Sequence, residues 1–187
     1  MSIKSIVVLV GDDAVSFHAL DTAIALARQF GAHLRVGHVV PPAHMPAGAI
    51  GRAASMEYVS EAEETAKAKA EALQAKVAAV CAPQLSSWQW RCEHGEALEA
   101  TSRLAALADL VVSVQWVETL LEDIVTTNFI EHLLMAADCP LLMLPHNWQG
   151  GPVGGKVLVA WKATREAQRS VRSALPFLTQ AQKTYIL

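Results

Sequence analysis

The stretch between Asp109 and Pro145 constrains the fold more than any other part of the chain. It opens with a short apolar run, Asp109–Ser113, and closes with a second one, Leu141–Leu144. Neither run alternates apolar and polar residues as a half-solvated strand does, so we expect both faces of each strand to be covered. The residues between them predict a loop and then a helix at about Thr127–Ala137. Strands covered on both faces predict a parallel sheet in an open α/β fold.

The N-terminal residues predict the same class. Ser5–Val10 is short and rich in β-branched residues, as strands are, and His33–Val40 has the same character. Between them, apolar residues at helical spacing predict a helix that Ser16 caps and Gly31 ends. A strand, a helix and a strand with short connections form a unit whose two strands are parallel neighbours.

The middle of the chain supplies the remaining elements. Pro41–Ala54 is a loop rich in Pro, Gly and Ala, which we expect to be mobile, and a helix is predicted at about Met56–Val80. Trp88–Cys92 predicts a third strand with its two tryptophans on one face, and Glu96–Ala108 predicts the next helix. We therefore predict an open sheet of five parallel strands in residues 1–146.

The opening pattern recurs near the end of the sequence. Residues 147–155 have the composition of a linker. Lys156–Trp161 then predicts a strand, Thr164–Leu178 a helix, and Lys183–Leu187 another strand. We interpret residues 156–187 as the N-terminal β-α-β part of a second similar domain, cut inside that domain. Because such a fragment leaves apolar faces uncovered, we expect the chain to self-associate.

Composition excludes several classes of function. The chain has 187 residues, 52% of them hydrophobic and 18% charged, with a net charge of -3 and no long basic run, so no nucleic-acid or membrane partner is expected. No signal-peptide pattern or membrane-length apolar run is present, which predicts a cytoplasmic protein. The scattered Cys81, Cys92 and Cys139 are expected to be reduced thiols without zinc.

The polar residues form no catalytic or metal-binding pattern. Ser16 and His18 are two positions apart on a predicted helix, so their side chains do not face each other. His33 and His38 are five positions apart on a predicted strand and lie on opposite faces. No nucleophile-elbow motif is present. We therefore predict no catalytic residue and no metal site, and we expect that the protein is not an enzyme.

The order of these elements, the D-L-V-V strand that begins at Asp109 and the C-P-L-L-M-L-P ending that begins at Cys139 resemble the universal stress protein family. The resemblance covers Ser5–Pro145 as one full domain, and Lys156–Leu187 is similar to the first third of a second. It implies a doubly wound, Rossmann-like α/β fold with a five-stranded parallel sheet, in the tandem, two-domain branch of that family. Many members bind ATP through an Asp after the first strand and a glycine loop, G-x2-G-x9-G-[S/T], after the fourth.

That glycine loop is placed on this chain by counting back from Cys139. Its three glycine positions fall on Val114, Val117 and Thr127, and its Ser/Thr position falls on Asn128. The glycines let backbone N–H groups approach phosphate oxygens at positive φ, a conformation that β-branched residues avoid. The same loop carries carboxylates that would repel a polyphosphate, namely Glu118, Glu122 and Asp123.

The aspartate position after the first strand is also altered. Counting from the following helix places it on Gly11, and Asp12 reaches it only with a shift of one residue. In the partial repeat the same position falls on Lys162, which replaces a carboxylate with a cation. Gly11, Asp12 and the four loop positions therefore form a degenerate version of the family's nucleotide site. The resemblance implies the branch that lacks the glycine loop, and we predict that the chain binds no ATP and no other cofactor.

Two functions from different classes follow. The first is a non-catalytic stress-response protein that acts through contacts with an unidentified protein partner. Because members of this family commonly pair through the last strand of the domain, the resemblance implies a homodimer through Leu141–Leu144, and residues 156–187 offer a second contact surface. The alternative is a nucleotide-binding or small-ligand-binding module that uses the Pro41–Ala54 loop together with the Val114–Thr126 loop.

Overall fold

A computed structural model of the chain describes residues 2–42, 52–115, 133–134, 137 and 139–187. Its central sheet contains five strands in the order β3-β2-β1-β4-β5, and every neighbouring pair is parallel. The predicted doubly wound, open, five-stranded α/β fold is therefore confirmed. The strands are β1 Ser5–Leu9, β2 His33–Val40, β3 Trp88–His94, β4 Leu110–Val114 and β5 Leu141–Leu144.

Helices cover both faces of this sheet. The described helices are α1 Ala14–Phe30, α2 Arg52–Cys81, α3 Ala97–Ala105 and α4 Arg165–Leu178. The first two pack on one face and α3 packs on the other. Leu133 and Leu134 are helical, and the Ala137 N–H donates to the Leu133 carbonyl over 2.8 Å. The rest of the helix predicted at Thr127–Ala137 lies outside the described residues.

Successive residues of β1 point into two different apolar layers. Ile6 and Val8 belong to the layer formed with α1 and α2, whereas Val7 packs with Leu104 of α3. All three β1 side chains are fully buried, and each such burial stabilises the fold by about 1.5–3 kcal/mol. The tryptophans of β3 share one face, as predicted, and both pack against the α1 and α2 layer. These two-sided contacts explain why the strands read as unbroken apolar runs.

Several element ends differ from the predictions for a local physical reason. The cap of α1 is Asp13 rather than Ser16, because the Asp13 carboxylate accepts from the Ser16 N–H over 2.8 Å. Gly31 ends α1 with φ +60°, as predicted. The second helix begins at Arg52, so the end of the predicted Pro41–Ala54 loop is helical. Residues 43–51 lie outside the described residues, and the expected mobility of that loop stays a prediction.

The residue predicted to open the fourth strand has a different role. β4 starts at Leu110, and the carboxylate of Asp109 instead accepts from the backbone N–H groups of Lys4 and Ser5 over 2.8 and 3.0 Å. The Asp109 N–H donates in turn to the Ser5 carbonyl over 2.9 Å. This arrangement satisfies backbone groups at the start of β1 ahead of its pairing with β4, which begins at Ile6 and Leu110.

The C-terminal residues form a second β-α-β unit on the first. Strands β6 Lys156–Val159 and β7 Lys183–Ile186 pair in parallel, and the intervening α4 is capped by Thr164. The Phe177 ring of α4 contacts Phe30 of α1 edge to face, with 5.4 Å between the ring centroids. The outer face of this small sheet is open, and Leu158 is 64% exposed. None of the helices in the described residues is long and apolar enough to cross a membrane.

Candidate functional site

The candidate nucleotide positions lie at the carboxyl ends of β1 and β4. These two strands are direct neighbours, while β2 lies on the other side of β1, so the direction of the strand order changes between β1 and β4. In open α/β sheets, ligands bind in the crevice at such a point. Gly11 and Asp12 follow β1, and Val114 is the last residue of β4. The other three predicted positions, Val117, Thr127 and Asn128, lie outside the described residues.

The turn between β1 and α1 is closed by its own hydrogen bonds. The Ser16 hydroxyl accepts from the Gly11 N–H over 3.0 Å and donates to the Asp13 carboxylate over 2.5 Å. Ser16 is only 5% exposed, so these bonds are shielded from water. Gly11 follows β1 at the crevice. Its backbone N–H therefore already has a hydrogen-bond partner within the chain.

Space explains why glycine stands at position 11. A Cβ atom added there would lie 2.9 Å from Oδ2 of Asp13 and 3.5 Å from the Ser16 hydroxyl. A side chain at this position, including the aspartate that the family resemblance puts there, would crowd the Asp13 carboxylate oxygen that accepts from Ser16. The helix cap and a carboxylate at position 11 therefore compete for the same space.

Asp12 pairs with the second helix. Its carboxylate contacts Nζ of Lys76 over 2.6 Å, and both side chains are more than half exposed. An exposed ion pair of this kind contributes little stability, about 0–1 kcal/mol. Its importance is local, because it neutralises the aspartate nearest to the family's position. Sequence reasoning did not predict Lys76, which is 64 positions away from Asp12 along the chain.

Val114 contributes to the sheet rather than to an open loop. It is in register with Leu144 of β5, is partly buried, and packs against the α1 and α2 layer. The next residue, Gln115, donates its N–H to the Leu144 carbonyl over 2.7 Å, which continues the ladder. The first of the lost glycine positions is therefore part of regular strand pairing.

Besides Lys76, His38 is another residue next to the crevice that the sequence did not predict. Its Nδ1 lies 2.9 Å from the carbonyl of Val10, the residue between β1 and Gly11, and its ring stacks on Trp90 with 5.9 Å between centroids. Because a carbonyl can only accept, this contact places the proton on Nδ1. His33 lies on the opposite face of β2, as predicted, and its Nδ1 is 2.8 Å from the Ser87 hydroxyl. Residues at alternate positions of a strand lie on one face, and Trp90 and His38 share a face of the paired strands β3 and β2. This alternation was the sequence signal that could have predicted their contact.

Two of the thiols, Cys81 and Cys92, are poor nucleophiles. Burial, with a smaller contribution from Asp21, raises the pKa of Cys81 to about 11, and burial beside Glu93 raises the pKa of Cys92. The thiolate is the reactive form, so both residues are protonated and unreactive at neutral pH. Cys81, Cys92 and Cys139 form no disulfide bond. Within the part of the chain that the structure describes, no group of three His, Cys, Asp or Glu side chains could hold a metal ion.

Comparison with known proteins agrees with this architecture. A universal stress protein UspA from Lactobacillus plantarum has a TM-score of 0.53 and 18% identity, over 77% of this chain and 99% of that chain. A universal stress protein from Archaeoglobus fulgidus has a TM-score of 0.64 and 14% identity, over 99% of this chain and 65% of that chain. At these identities the likeness shows the fold alone.

Sequence comparison gives the family. No curated protein sequence matches the chain significantly. The family model described as "Universal stress protein family" matches residues 2–145, which include the whole five-stranded sheet and the crevice between β1 and β4. The chain therefore belongs to the universal stress protein family.

Proposed function

We propose that the chain is a non-catalytic universal stress protein that binds no ATP and acts in the stress response through contacts with other proteins. One observation carries this proposal. The polar groups of the turn after β1 are already paired within the chain. The Ser16 hydroxyl accepts from the Gly11 N–H, and the Asp12 carboxylate pairs with Lys76. A phosphate group arriving at this turn would have to break those bonds before it made any.

The residues around the turn support the same conclusion. Phosphate-binding loops offer unpaired backbone N–H groups and conformations that favour glycine. Here the first glycine position of the family loop is Val114, which lies within β4 and packs in the core. Farther along the loop the sequence carries Glu118, Glu122 and Asp123, whose negative charge opposes a triphosphate.

Calorimetric titration of the purified chain with Mg-ATP tests the proposal. The expected result is no saturable heat. A saturable heat that Val114→Trp abolishes would show that the crevice binds nucleotide, and the proposal would then be wrong. Lys76→Gln is a useful companion variant, since it frees the Asp12 carboxylate without changing the core. If Lys76→Gln also gives no saturable heat with Mg-ATP, the lack of binding is due to the closed turn and the missing glycines rather than to the ion pair.

The alternative is a small-ligand module at the same crevice, and one observation favours it. Gly11 and Val114 lie at the point where the direction of the strand order changes, the usual ligand position in this class of sheet. Such a ligand would lack a polyphosphate group. Thermal denaturation with a panel of adenine nucleosides, which carry no phosphate, separates the two functions, because only the alternative predicts a concentration-dependent rise in Tm.

We also propose that residues 156–187 are the start of a second similar domain after a linker at residues 147–155. The parallel β6 and β7 pair with its capped α4 repeats the pattern of β1, α1 and β2, which supports this division. The fold likeness to the longer Archaeoglobus fulgidus protein, over 99% of this chain, supports it as well. We also propose a reducing, cytoplasmic compartment, because the three cysteines are scattered along the sequence without a paired motif.

We propose that the chain self-associates through β5. β5 lies at one end of the described sheet and pairs with β4 along one edge. Met143 in the middle of β5 is 46% exposed. An edge strand with an exposed apolar residue favours pairing with another chain. The proposed partner at this edge is a second copy of the chain.

A further inference from the structure

A cavity of about 290 Å³ lies on the α3 side of the sheet, which is the face opposite α1. Its wall carries the charged side chains of Arg35, Arg91, Arg103 and Glu93. Its apolar surface includes Leu104 and Leu107. The cavity shares none of these residues with the crevice after β1 and β4, so it is a separate candidate site.

Strand pairing brings the arginines together. β2 and β3 are parallel, and Gly37 of β2 is directly opposite Arg91 of β3, so Arg35 and Arg91 lie on the same face two positions apart in register. Gly37 has no side chain to fill the space between them, and a Cβ atom there would come within 2.9 Å of Leu104. Arg103 reaches the same space from α3.

Two of the arginines are held in place by the protein. One Nη of Arg35 donates to the Ala106 carbonyl over 2.9 Å at the end of α3. Arg103 donates from Nε to Glu93 over 3.0 Å and from Nη2 to the His94 carbonyl over 2.9 Å. Each guanidinium has five N–H donors in a planar fork, so both retain donors after these bonds. Fixed guanidinium groups lose little freedom when they bind a ligand.

Arg91 is the group whose donors are available. It is exposed and has no hydrogen-bond or ion-pair partner among the described residues. Burial, and after it the nearby charge of Arg91, lowers the pKa of Arg35, as expected for two cations on the same face of the sheet. An anion between them would relieve the repulsion between them and satisfy the unused donors.

The charge of the cavity selects the class of anion. Three guanidinium groups face one carboxylate, which leaves a local charge of about +2. A phosphate monoester carries a charge of about -1.5 to -2 at neutral pH and has three acceptor oxygens. A single carboxylate would leave part of the positive charge unpaired. The volume is near the lower end of the range for small-molecule sites, which fits a small ligand.

The rim of the cavity supplies an apolar contact. Leu107 follows α3 with φ 62° and is 95% exposed. A left-handed backbone conformation is costly for leucine, and full exposure of its side chain contributes nothing to the core. A ligand with an apolar group beside its phosphate would cover this side chain.

We propose that this cavity binds a small phosphate monoester, with the phosphate on Arg35, Arg91 and Arg103 and its apolar group against Leu107. This site goes beyond the proposed function, since it concerns neither the ATP position of the family nor the self-association surface. A chain that binds no nucleotide at the β1 and β4 crevice would still bind a phosphate monoester here.

Titration of the full chain with phenyl phosphate, followed by calorimetry and by NMR, tests the proposal. We expect saturable binding that perturbs the signals of Arg91 and Leu107, with weaker binding of inorganic phosphate and none of phenol. Arg91→Gln should weaken binding by about tenfold or more, the loss expected for one charge-assisted hydrogen bond. The matched control is Arg28→Gln, which makes the same change of charge at an exposed position of α1 and should leave the affinity unchanged.

Three results would overturn the site. The first is the lack of saturable phenyl phosphate binding at millimolar concentration. The second is an equal loss of affinity in Arg91→Gln and Arg28→Gln, because that pattern reports the general charge of the surface. The third is binding of phenol as tight as that of phenyl phosphate. Loss of fold cannot account for a loss of binding in Arg91→Gln if its urea midpoint equals that of the unsubstituted chain, and we expect it to be equal because Arg91 is exposed.

Discussion

At the scale of single residues, one buried hydroxyl joins the end of β1 to the start of α1. Ser16 accepts from Gly11 and donates to Asp13, while Asp13 caps the helix through the Ser16 N–H. Sequence reasoning predicted a cap near this point, but it chose Ser16 because serine is a common cap. The reciprocal bonds between three close residues depend on turn geometry that composition does not reveal.

Replacing that hydroxyl should destabilise the fold measurably. Ser16→Ala leaves the Gly11 N–H and one Asp13 oxygen without their partner in a buried turn, so we expect the free energy of unfolding to fall by about 1–3 kcal/mol. Urea denaturation measures the change. Ser60→Ala, at an exposed position of α2, is the control and should stay close to the unsubstituted chain. A Ser16→Ala chain as stable as that control would mean that the turn is not held by this hydroxyl.

The thiol of Cys81 makes a pH-dependent contribution. Its pKa is raised to about 11 in the folded chain from an ordinary value of 9.0, mainly by burial. The folded state therefore keeps its proton where the unfolded state loses it, and stability falls as pH rises from about 9 to about 11. We expect Cys81→Ala to show a shallower decline over that range in urea denaturation at several pH values. Parallel declines for the two chains would contradict the assignment.

At the scale of elements, the segment between the two β-α-β units is anchored on α1. Nε1 of Trp148 donates to the Thr22 hydroxyl over 2.9 Å, and the Trp148 carbonyl lies 2.8 Å from Nδ1 of His18. The Trp148 ring packs against the main apolar layer. The glycines around it predicted a linker, but the pattern did not indicate that one aromatic residue would fix the segment to a helix 126 positions earlier.

Substitution at Trp148 separates its hydrogen bond from its packing. Trp148→Phe removes the donor to Thr22 and should cost about 0.5–1.5 kcal/mol of unfolding free energy, and Trp148→Ala should cost more because the ring contact is also lost. Trp161→Phe, at an exposed tryptophan, is the matched control and should cost little. Chemical denaturation provides the three values. Equal effects of Trp148→Phe and Trp161→Phe would show that the anchor contributes no stability.

An element could be predicted from the sequence when the interactions that fix it join residues close together in the chain. Periodicity and β-branched runs were sufficient for the strands and for α1, since those signals arise from burial of nearby residues. The start of β4 was placed one residue early because Asp109 is held by Lys4 and Ser5, more than a hundred positions away. In the candidate site, Gly11, Asp12 and Val114 were predicted from a family motif. Lys76 and His38 reach the same site only through folding and were missed.

At the scale of the whole molecule, two apolar surfaces are open. One is the edge at β5 with Met143, and the other is the outer face of the β6 and β7 sheet with Leu158 and Tyr185. In the first unit the equivalent face of β1 is covered, because Val7 packs beneath Leu104 of α3. The sequence predicted uncovered apolar faces in residues 156–187, and Leu158 and Tyr185 are both exposed.

A pair of charge substitutions distinguishes the two surfaces. If the chain dimerises through β5, Met143→Lys should shift it to the monomer, because a desolvated cation at the strand edge opposes pairing. Leu158→Lys should leave the dimer intact. Light scattering during size-exclusion chromatography gives the mass of each form. Dissociation by Leu158→Lys with no effect of Met143→Lys would assign the contact to the second sheet and contradict pairing through β5.

The backbone amide of Gly11 tests the central claim most directly, because a phosphate at the crevice must displace its bond to Ser16. In an NMR titration of the isotopically labelled chain with Mg-ATP at millimolar concentration, we predict that the Gly11 amide signal does not move and that its hydrogen exchange stays slow. A saturable shift of that signal, lost on Val114→Trp, would show that nucleotide enters the turn and would contradict the account.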